Sequence, residues 1–175
     1  MSRILILYST VDGQTLRICE RMKAVAEALG NEVVLASIDD SDGSGMSSCD
    51  KVVIGASIRY GKHRPSVFRF IDANLPLLDS KPNAFFSVNS VAPTPEHNAP
   101  ATTPDLRRFL RKAPWNPKLL GVFAGRLDYP RYRPFDRMMI RLIMRLTDGP
   151  TDPSAVVDFT DWQQVDRFAQ SIVDL

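Results

Sequence analysis

Ile4-Leu5-Ile6-Leu7-Tyr8-Ser9-Thr10-Val11-Asp12-Gly13-Gln14-Thr15 is the stretch on which the fold turns. Four apolar residues in succession offer both faces of a strand to a core, the pattern of a buried parallel strand. The run empties into a turn of hydroxyls, Asp and Gly. Ile18, Met22, Val25, Ala26 and Leu29 then recur at helical spacing, and Gly30 supplies the stop. Strand, polar turn and helix in this order form the first half of a β–α–β unit.

The same alternation continues along the chain. Val33–Ala36, Val52–Ile54, Ala84–Val88 and Leu119–Ala124 read as four more strands. Between them, Val67, Phe70, Ile71 and Leu75 mark one helix, and Leu106, Phe109 and Leu110 another, with Thr103 as its N-cap and Pro104 at its first position. A last helix is expected to start at Thr160, with Gln163 completing a capping box and Val165, Phe168, Ala169, Ile172 and Val173 forming its core stripe. Five strands with alternating helices predict one α/β domain over residues 1–175, built as a doubly wound five-stranded parallel sheet. One segment breaks the pattern. Residues 126–160 stand where a short connection is expected.

A parallel sheet binds its ligand at the carboxyl ends of its strands. Ser9, Thr10, Asp12, Gly13, Gln14 and Thr15 lie at the end of the first strand, where helix-start N–H groups favour a phosphate. The turn has neither the G-x-G-x-x-G of a dinucleotide site nor the lysine of a P-loop, so a monophosphate such as FMN fits best. The Asp12 carboxylate is expected to turn toward backbone N–H groups of its own turn. Ala56, Ser57, Ile58, Arg59, Tyr60 and Gly61 follow the third strand, with Tyr60 suited to stacking on a flat ring. Ser87, Val88, Asn89 and Val91 follow the fourth strand, and Gly125 the fifth.

Taken in order, S-T-x-D-G-Q-T, V-I-G-A-S-I-R-Y-G at 53–61 and F-x-S-V-N-x-V-A at 85–92 resemble the menaquinone-dependent protoporphyrinogen IX dehydrogenase family. So do Ala124-Gly125, Tyr129-Pro130-Arg131-Tyr132-Arg133, Asp136-Arg137, Met139-Ile140 and Thr160-Asp161-Trp162. The Y-P-R-Y-R block and its helix discriminate this family from other flavodoxin-like chains. Two places depart from or fall outside its pattern: Asp148-Gly149-Pro150-Thr151-Asp152 stands for Gly-Gly-x-Thr-Asp, and Lys62-His63-Arg64 matches no fixed motif. The resemblance implies a flavodoxin-like fold, with strand order 2-1-3-4-5, and an FMN enzyme of haem biosynthesis. Such an enzyme removes six electrons from protoporphyrinogen IX and passes them to a membrane quinone, menaquinone or ubiquinone. It implies a cytoplasmic protein peripherally attached to the inner membrane of a bacterium. The flavin carries the redox step, so no protein nucleophile and no metal is expected, and no side chain is singled out as catalytic.

The segment 126–146 carries six arginines against Asp128 and Asp136, a local charge of +4 in a chain whose total is +2. Residues 135–146 predict an inserted amphipathic helix with Phe135, Met138, Met139, Leu142, Ile143 and Leu146 on one face, and Ile140 and Met144 widening the apolar arc. That face either packs on the sheet or enters a lipid surface. Arg133, Arg137, Arg141 and Arg145 are candidates for anionic headgroups. Arg59, Arg126, Tyr129 and Arg131 are candidates for the substrate, whose two propionates suit bidentate arginine.

The small total charge gives no argument for nucleic acid. Cys19 and Cys49 form no CxxC pair, which fits a reducing compartment, and Cys19 reads as a small core residue. Trp115 and Trp162 read as packing residues, and His63 and His97 as surface histidines. The main alternative is a flavodoxin-type electron carrier with no small-molecule substrate, which the local basicity disfavours. An NAD(P)H-dependent quinone reductase lacks a nucleotide fingerprint, and a phospho-receiver lacks the aspartate after the third strand, where Ser57 stands.

Overall fold

The computed structural model describes residues 1–89, 100 and 103–175; the expected contribution of Val91 and the histidine at 97 lie outside the described residues. Strand β1 (Arg3–Ser9) explains the layering. Its residues alternate between two cores. Ile4 and Ile6 face helices α1 (Gln14–Ala28) and α5 (Trp162–Asp174), while Leu5 and Leu7 face α2 (Pro65–Asp79) and α3 (Pro104–Lys112). All four are buried, each contributing about 1.5–3 kcal/mol.

Strands β2 (Glu32–Ser37), β3 (Lys51–Arg59), β5 (Asn83–Asn89) and β6 (Leu119–Ala124) flank β1 in the parallel order β2-β1-β3-β5-β6. This is the expected order of five, with one short extra strand intervening in the count. That strand, β4 (Lys62–His63), folds back antiparallel on β3. Residues 55–59, expected as loop, are therefore the second half of a nine-residue strand, and the turn of the hairpin is Tyr60-Gly61. Tyr60 sits at φ 50°, unusual for a residue with a side chain.

The segment after β6 has its own small core. Strand β7 (Arg126–Asp128) pairs antiparallel with β8 (Val156–Asp158), and between them a 3-10 turn (Tyr129–Arg131) leads into helix α4 (Pro134–Leu146). Leu127, Tyr129, Tyr132, Ile140 and Met144 form a cluster separate from the two cores of the sheet. Of the two placements open to the apolar face of this helix, packed or exposed, most of it takes the exposed one. Ile140 and Met144 point inward, and Phe135, Met138, Leu142 and Leu146 are 52 to 78% exposed. The last helix is capped one residue later than expected, with Asp161 accepting from the Gln164 N–H at 3.1 Å. Thr160 is instead a buried strut, donating to the Ala124 carbonyl at 2.8 Å and accepting from Gln14 Nε2 at 2.8 Å. Among the described residues, no helix is long and apolar enough to cross a membrane.

Candidate functional site

The ends of β1, β3, β5 and β6 meet at one edge of the sheet. Helix α1 starts there from Gly13, whose φ of 87° gives the turn a shape that L side chains rarely adopt. A Cβ at Gly13 would meet nothing within 4 Å, so the start of α1 is open. No side chain caps this helix, and its first turn holds no acidic residue. Its unpaired amides therefore present partial positive charge to whatever sits beyond the turn. Thr10 Oγ1 accepts from the Gly13 N–H at 2.9 Å and closes the turn.

Five side chains at this edge carry a buried polar atom without a hydrogen-bond partner: Ser9 Oγ, Thr15 Oγ1, Ser57 Oγ, Asn89 Oδ1 and Arg126 Nε. Ser9 and Thr15 are 1% and 0% exposed. An unsatisfied buried polar atom costs about 1–3 kcal/mol, so their convergence at one place points to a ligand. Thr15, Ser57, Asn89 and Arg126 line a narrow crevice with Thr10, Asp12 and Gly125. Gly125 is held close to β5, donating its N–H to the Asn89 carbonyl at 2.6 Å, and a Cβ there would stand 2.5 Å from that oxygen.

Several expected site residues sit differently. Asp12 does not turn to its own backbone. Its carboxylate accepts from Arg59 Nη1 at 2.9 and 3.1 Å, so a cation balances its charge beside the expected phosphate site. Arg59 Nη2 lies 2.9 Å from Asp136 at the start of α4, and Tyr60 donates its hydroxyl to the same carboxylate at 2.6 Å. Arg59 is thus a clasp joining the β1–α1 turn, the hairpin and the inserted helix. The Tyr60 hydroxyl holds the Asp136 carboxyl below its ordinary range, with Arg59 adding to the effect. Tyr60 is half-exposed at the hairpin tip. Gln14 directs its side chain to Asp158 and Thr160, so only its backbone N–H faces the turn. Ala56 and Ile58 are buried within their strand, Val88 is buried but lines the crevice as expected, and Ser87 is engaged by His63, whose Nε2 lies 2.8 Å from Ser87 Oγ.

His63 corrects the reading of a surface histidine. It is buried edge-on to Phe85 and Phe109, at ring separations of 5.7 and 5.1 Å, and burial pushes it down to about 4, so the ring is neutral. The Tyr129 ring is buried in the small core, its hydroxyl donating to the Pro150 carbonyl at 2.7 Å, so it is no substrate contact. Arg137 Nε donates to the Tyr129 carbonyl at 3.0 Å and Arg141 Nε to the Thr151 carbonyl at 2.9 Å. These two arginines tie the insertion to itself. Arg133 and Arg145 are exposed near the two ends of α4, and Arg131 is exposed on the 3-10 turn. Arg126 lines the crevice and keeps an ion pair with Asp128 at 3.2 Å, while its Nε is buried without a partner.

The hairpin also borders a second, larger cavity of about 460 Å³, on the side toward α2 and α3. No local pattern announces it, because its walls come from segments nearly fifty residues apart.

Residues 5–154 match the family described as a flavodoxin domain. The chain is 42% identical over 173 residues to protoporphyrinogen IX dehydrogenase (quinone) of Escherichia coli strain K12, covering 99% of this chain and 96% of that one. It is 40% identical over 177 residues to the protein of the same name from Leishmania major, covering 99% of this chain and 75% of that one. Among solved structures, oxidised flavodoxin 2 from Bacillus cereus superposes with a TM-score of 0.57 at 19% identity, covering 99% of each chain. A flavodoxin from the domain Archaea gives 0.53 at 15% identity, covering 98% of this chain and 96% of that one. At these identities the structural likeness speaks for the fold alone.

Proposed function

Because this chain belongs to the flavodoxin-domain family, and within it to the protoporphyrinogen IX dehydrogenases, we propose that it binds FMN and oxidises protoporphyrinogen IX in haem biosynthesis, with a membrane quinone as acceptor. The observation that carries the cofactor reading is the set of unpartnered buried polar atoms around the start of α1. The amides after Gly13 and the hydroxyls of Ser9, Thr10 and Thr15 suit a phosphate monoester, offering hydrogen bonds without a cation. Ser57, Asn89 and Arg126 offer further polar contacts along the crevice. A bound flavin supplies two-electron redox chemistry between the porphyrinogen and the quinone.

The chain's own part is to bind, orient and keep the site dry. The Arg59 clasp fixes the hairpin against the phosphate turn and carries the inserted helix to the same edge. Helix α4 then presents Phe135, Met138, Leu142 and Leu146 to the outside, with Arg133 and Arg145 near its ends. An apolar stripe bracketed by arginines suits the anionic surface of the inner membrane, where the quinone resides. Each basic residue at such a surface contributes about 1 kcal/mol. Arg137 and Arg141, held by backbone carbonyls, have the smaller share.

Anaerobic mixing of the FMN-loaded protein with protoporphyrinogen IX tests the reading. The flavin absorbance should bleach and recover when a menaquinone analogue is added. A protein that stays yellow would be an electron carrier.

A further inference from the structure

The geometry points to the 460 Å³ cavity beside the hairpin as the site that receives the carboxylated edge of the porphyrinogen, with Lys62, Arg108 and Lys112 as its specificity-determining residues. This rests on the proposed substrate, and it relocates propionate recognition away from the arginines that the sequence suggested.

The cavity has the size of a small-molecule site, which commonly spans about 300–1,000 Å³. Its walls are of two kinds. Phe68 and Phe109 form an aromatic side, and Phe109 is locked by face-to-face stacking on Phe85, with centroids 4.0 Å apart and planes within 2°. Neutral, buried His63 completes this dry side. The other side is basic. Arg108 donates to the Gly61 carbonyl at 2.7 Å, pinning the hairpin turn to α3, and lies 3.6 Å from Asp105. Arg64 is taken by Asp39 at 2.6 Å. Lys62 and Lys112 are exposed, and among the described residues neither has a carboxylate within 4.0 Å. Lys112 Nζ stands 4.5 Å above the Phe68 ring, which places a cation at the boundary between the two walls.

A largely apolar macrocycle with two carboxylates on one edge matches an aromatic wall meeting free cations. A neutral quinone has no use for the cations, and a small anion has no use for the aromatic wall. The position also serves the reaction. The β1–α1 turn and the end of β3 separate the cavity from the crevice. Val11 and Arg59 line the cavity, and Thr10, Asp12 and Ser57 line the crevice. A porphyrinogen held by one edge in the cavity therefore stands at the same sheet edge as the cofactor. Arg59 stays in its two ion pairs and is not free for this purpose.

The test uses the FMN-loaded protein, the double variant R108E/K112E and a charge-matched control, K23E/R167E, on the opposite face of the sheet. Flavin spectrum and thermal melting report folding. KM is measured for protoporphyrinogen IX and for its dimethyl ester, and protoporphyrin IX affinity is titrated by fluorescence without turnover. The expected result is a rise of at least tenfold in the diacid KM and in the porphyrin Kd for R108E/K112E. The preference of the wild type for diacid over ester should disappear with it, and K23E/R167E should stay within twofold. Should R108E/K112E fail to fold, K112Q is expected to raise the diacid KM several-fold alone. Equal KM values for diacid and ester in the wild type, or a porphyrin Kd unmoved by R108E/K112E, would overturn the assignment. So would a loss of FMN affinity in place of porphyrin affinity, which would give the cavity to the cofactor. A wild type that oxidises no porphyrinogen would refute the proposed function itself, a different outcome from these.

Discussion

The carboxyl edge of the sheet and the insertion 126–160 use the same residue types in opposite ways. At the sheet edge the apolar residues are inside and several polar atoms are buried without partners. In the insertion, two charged side chains that look free in the sequence, Arg137 and Arg141, are bonded to its own carbonyls. The large apolar residues Phe135, Met138, Leu142 and Leu146 are the ones left outside. Unmet bonding capacity marks where each region expects something else: a polar ligand at the edge, an apolar surface on the helix. Charge alone is a poor guide to either.

Titrating the sheet edge should break its dry character with the largest effect. His63 is neutral in the folded protein with its ionisation pushed down to about 4, against 6.5 when free. Its folded-state value is the lower one, so the unfolded chain binds the proton first. The stability linked to its neutral form is complete above about pH 6.5 and is lost as pH falls toward 4. The loss is about 1.4 kcal/mol per pH unit, or about 3 kcal/mol over the window. Denaturant unfolding at several pH values should show this slope, and His63→Gln should flatten it.

The unpartnered hydroxyls give a sharper contrast, because their removal should act in opposite directions on the free and loaded protein. Thr15→Val removes an orphan buried hydroxyl at little change in shape, so the FMN-free protein should melt no lower than the wild type. FMN affinity should fall by 10- to 100-fold, since a hydrogen bond to a charged group is worth about 1.5–3 kcal/mol. Fluorescence titration and thermal melting of the same samples check both signs.

Two arginines of one helix provide the smallest test. Arg137→Ala should cost about 1–2 kcal/mol of stability by freeing the Tyr129 carbonyl, discounted for its partial exposure. Arg145→Ala should stay within about 0.5 kcal/mol. Binding to anionic vesicles should reverse the order, falling about fivefold for Arg145→Ala.

These contrasts separate what was readable in the sequence from what was not. The β1–α1 turn was legible because its signals are local: four apolar residues, hydroxyls, and a glycine at the helix start. The five parallel strands followed from the alternation of apolar runs, and their order from the resemblance to flavodoxin-like chains. The hairpin was hidden, because Lys62-His63 is too short for a period and Tyr60 is an unusual residue for a left-handed turn. The orientation of α4 was hidden for another reason. Periodicity gives the width of an apolar arc, and this one is wide enough to hold Ile140 and Met144 on one side of the helix and Leu142 nearly opposite them. Only the small core around Tyr129 and Tyr132 decides which part is covered. The partner of Asp12 was hidden because Arg59 is 47 residues away. Thr160 matched a capping pattern but is drawn off by Gln14, a contact no local rule contains.

The proposed division of labour, porphyrinogen at the sheet edge and quinone at the exposed face of α4, is split into its two halves by an anaerobic stopped-flow experiment on FMN-loaded wild type and F135D/L142D. Each protein is reduced with protoporphyrinogen IX and then mixed with anionic vesicles containing menaquinone, or with a water-soluble analogue. Both proteins should bleach at similar rates, and both should reoxidise with the soluble analogue. With vesicles, F135D/L142D should reoxidise at least 100-fold more slowly, as expected when two apolar side chains worth about 1.5–3 kcal/mol each no longer enter the lipid. Equal reoxidation of both proteins by vesicle-bound menaquinone would contradict that division of labour.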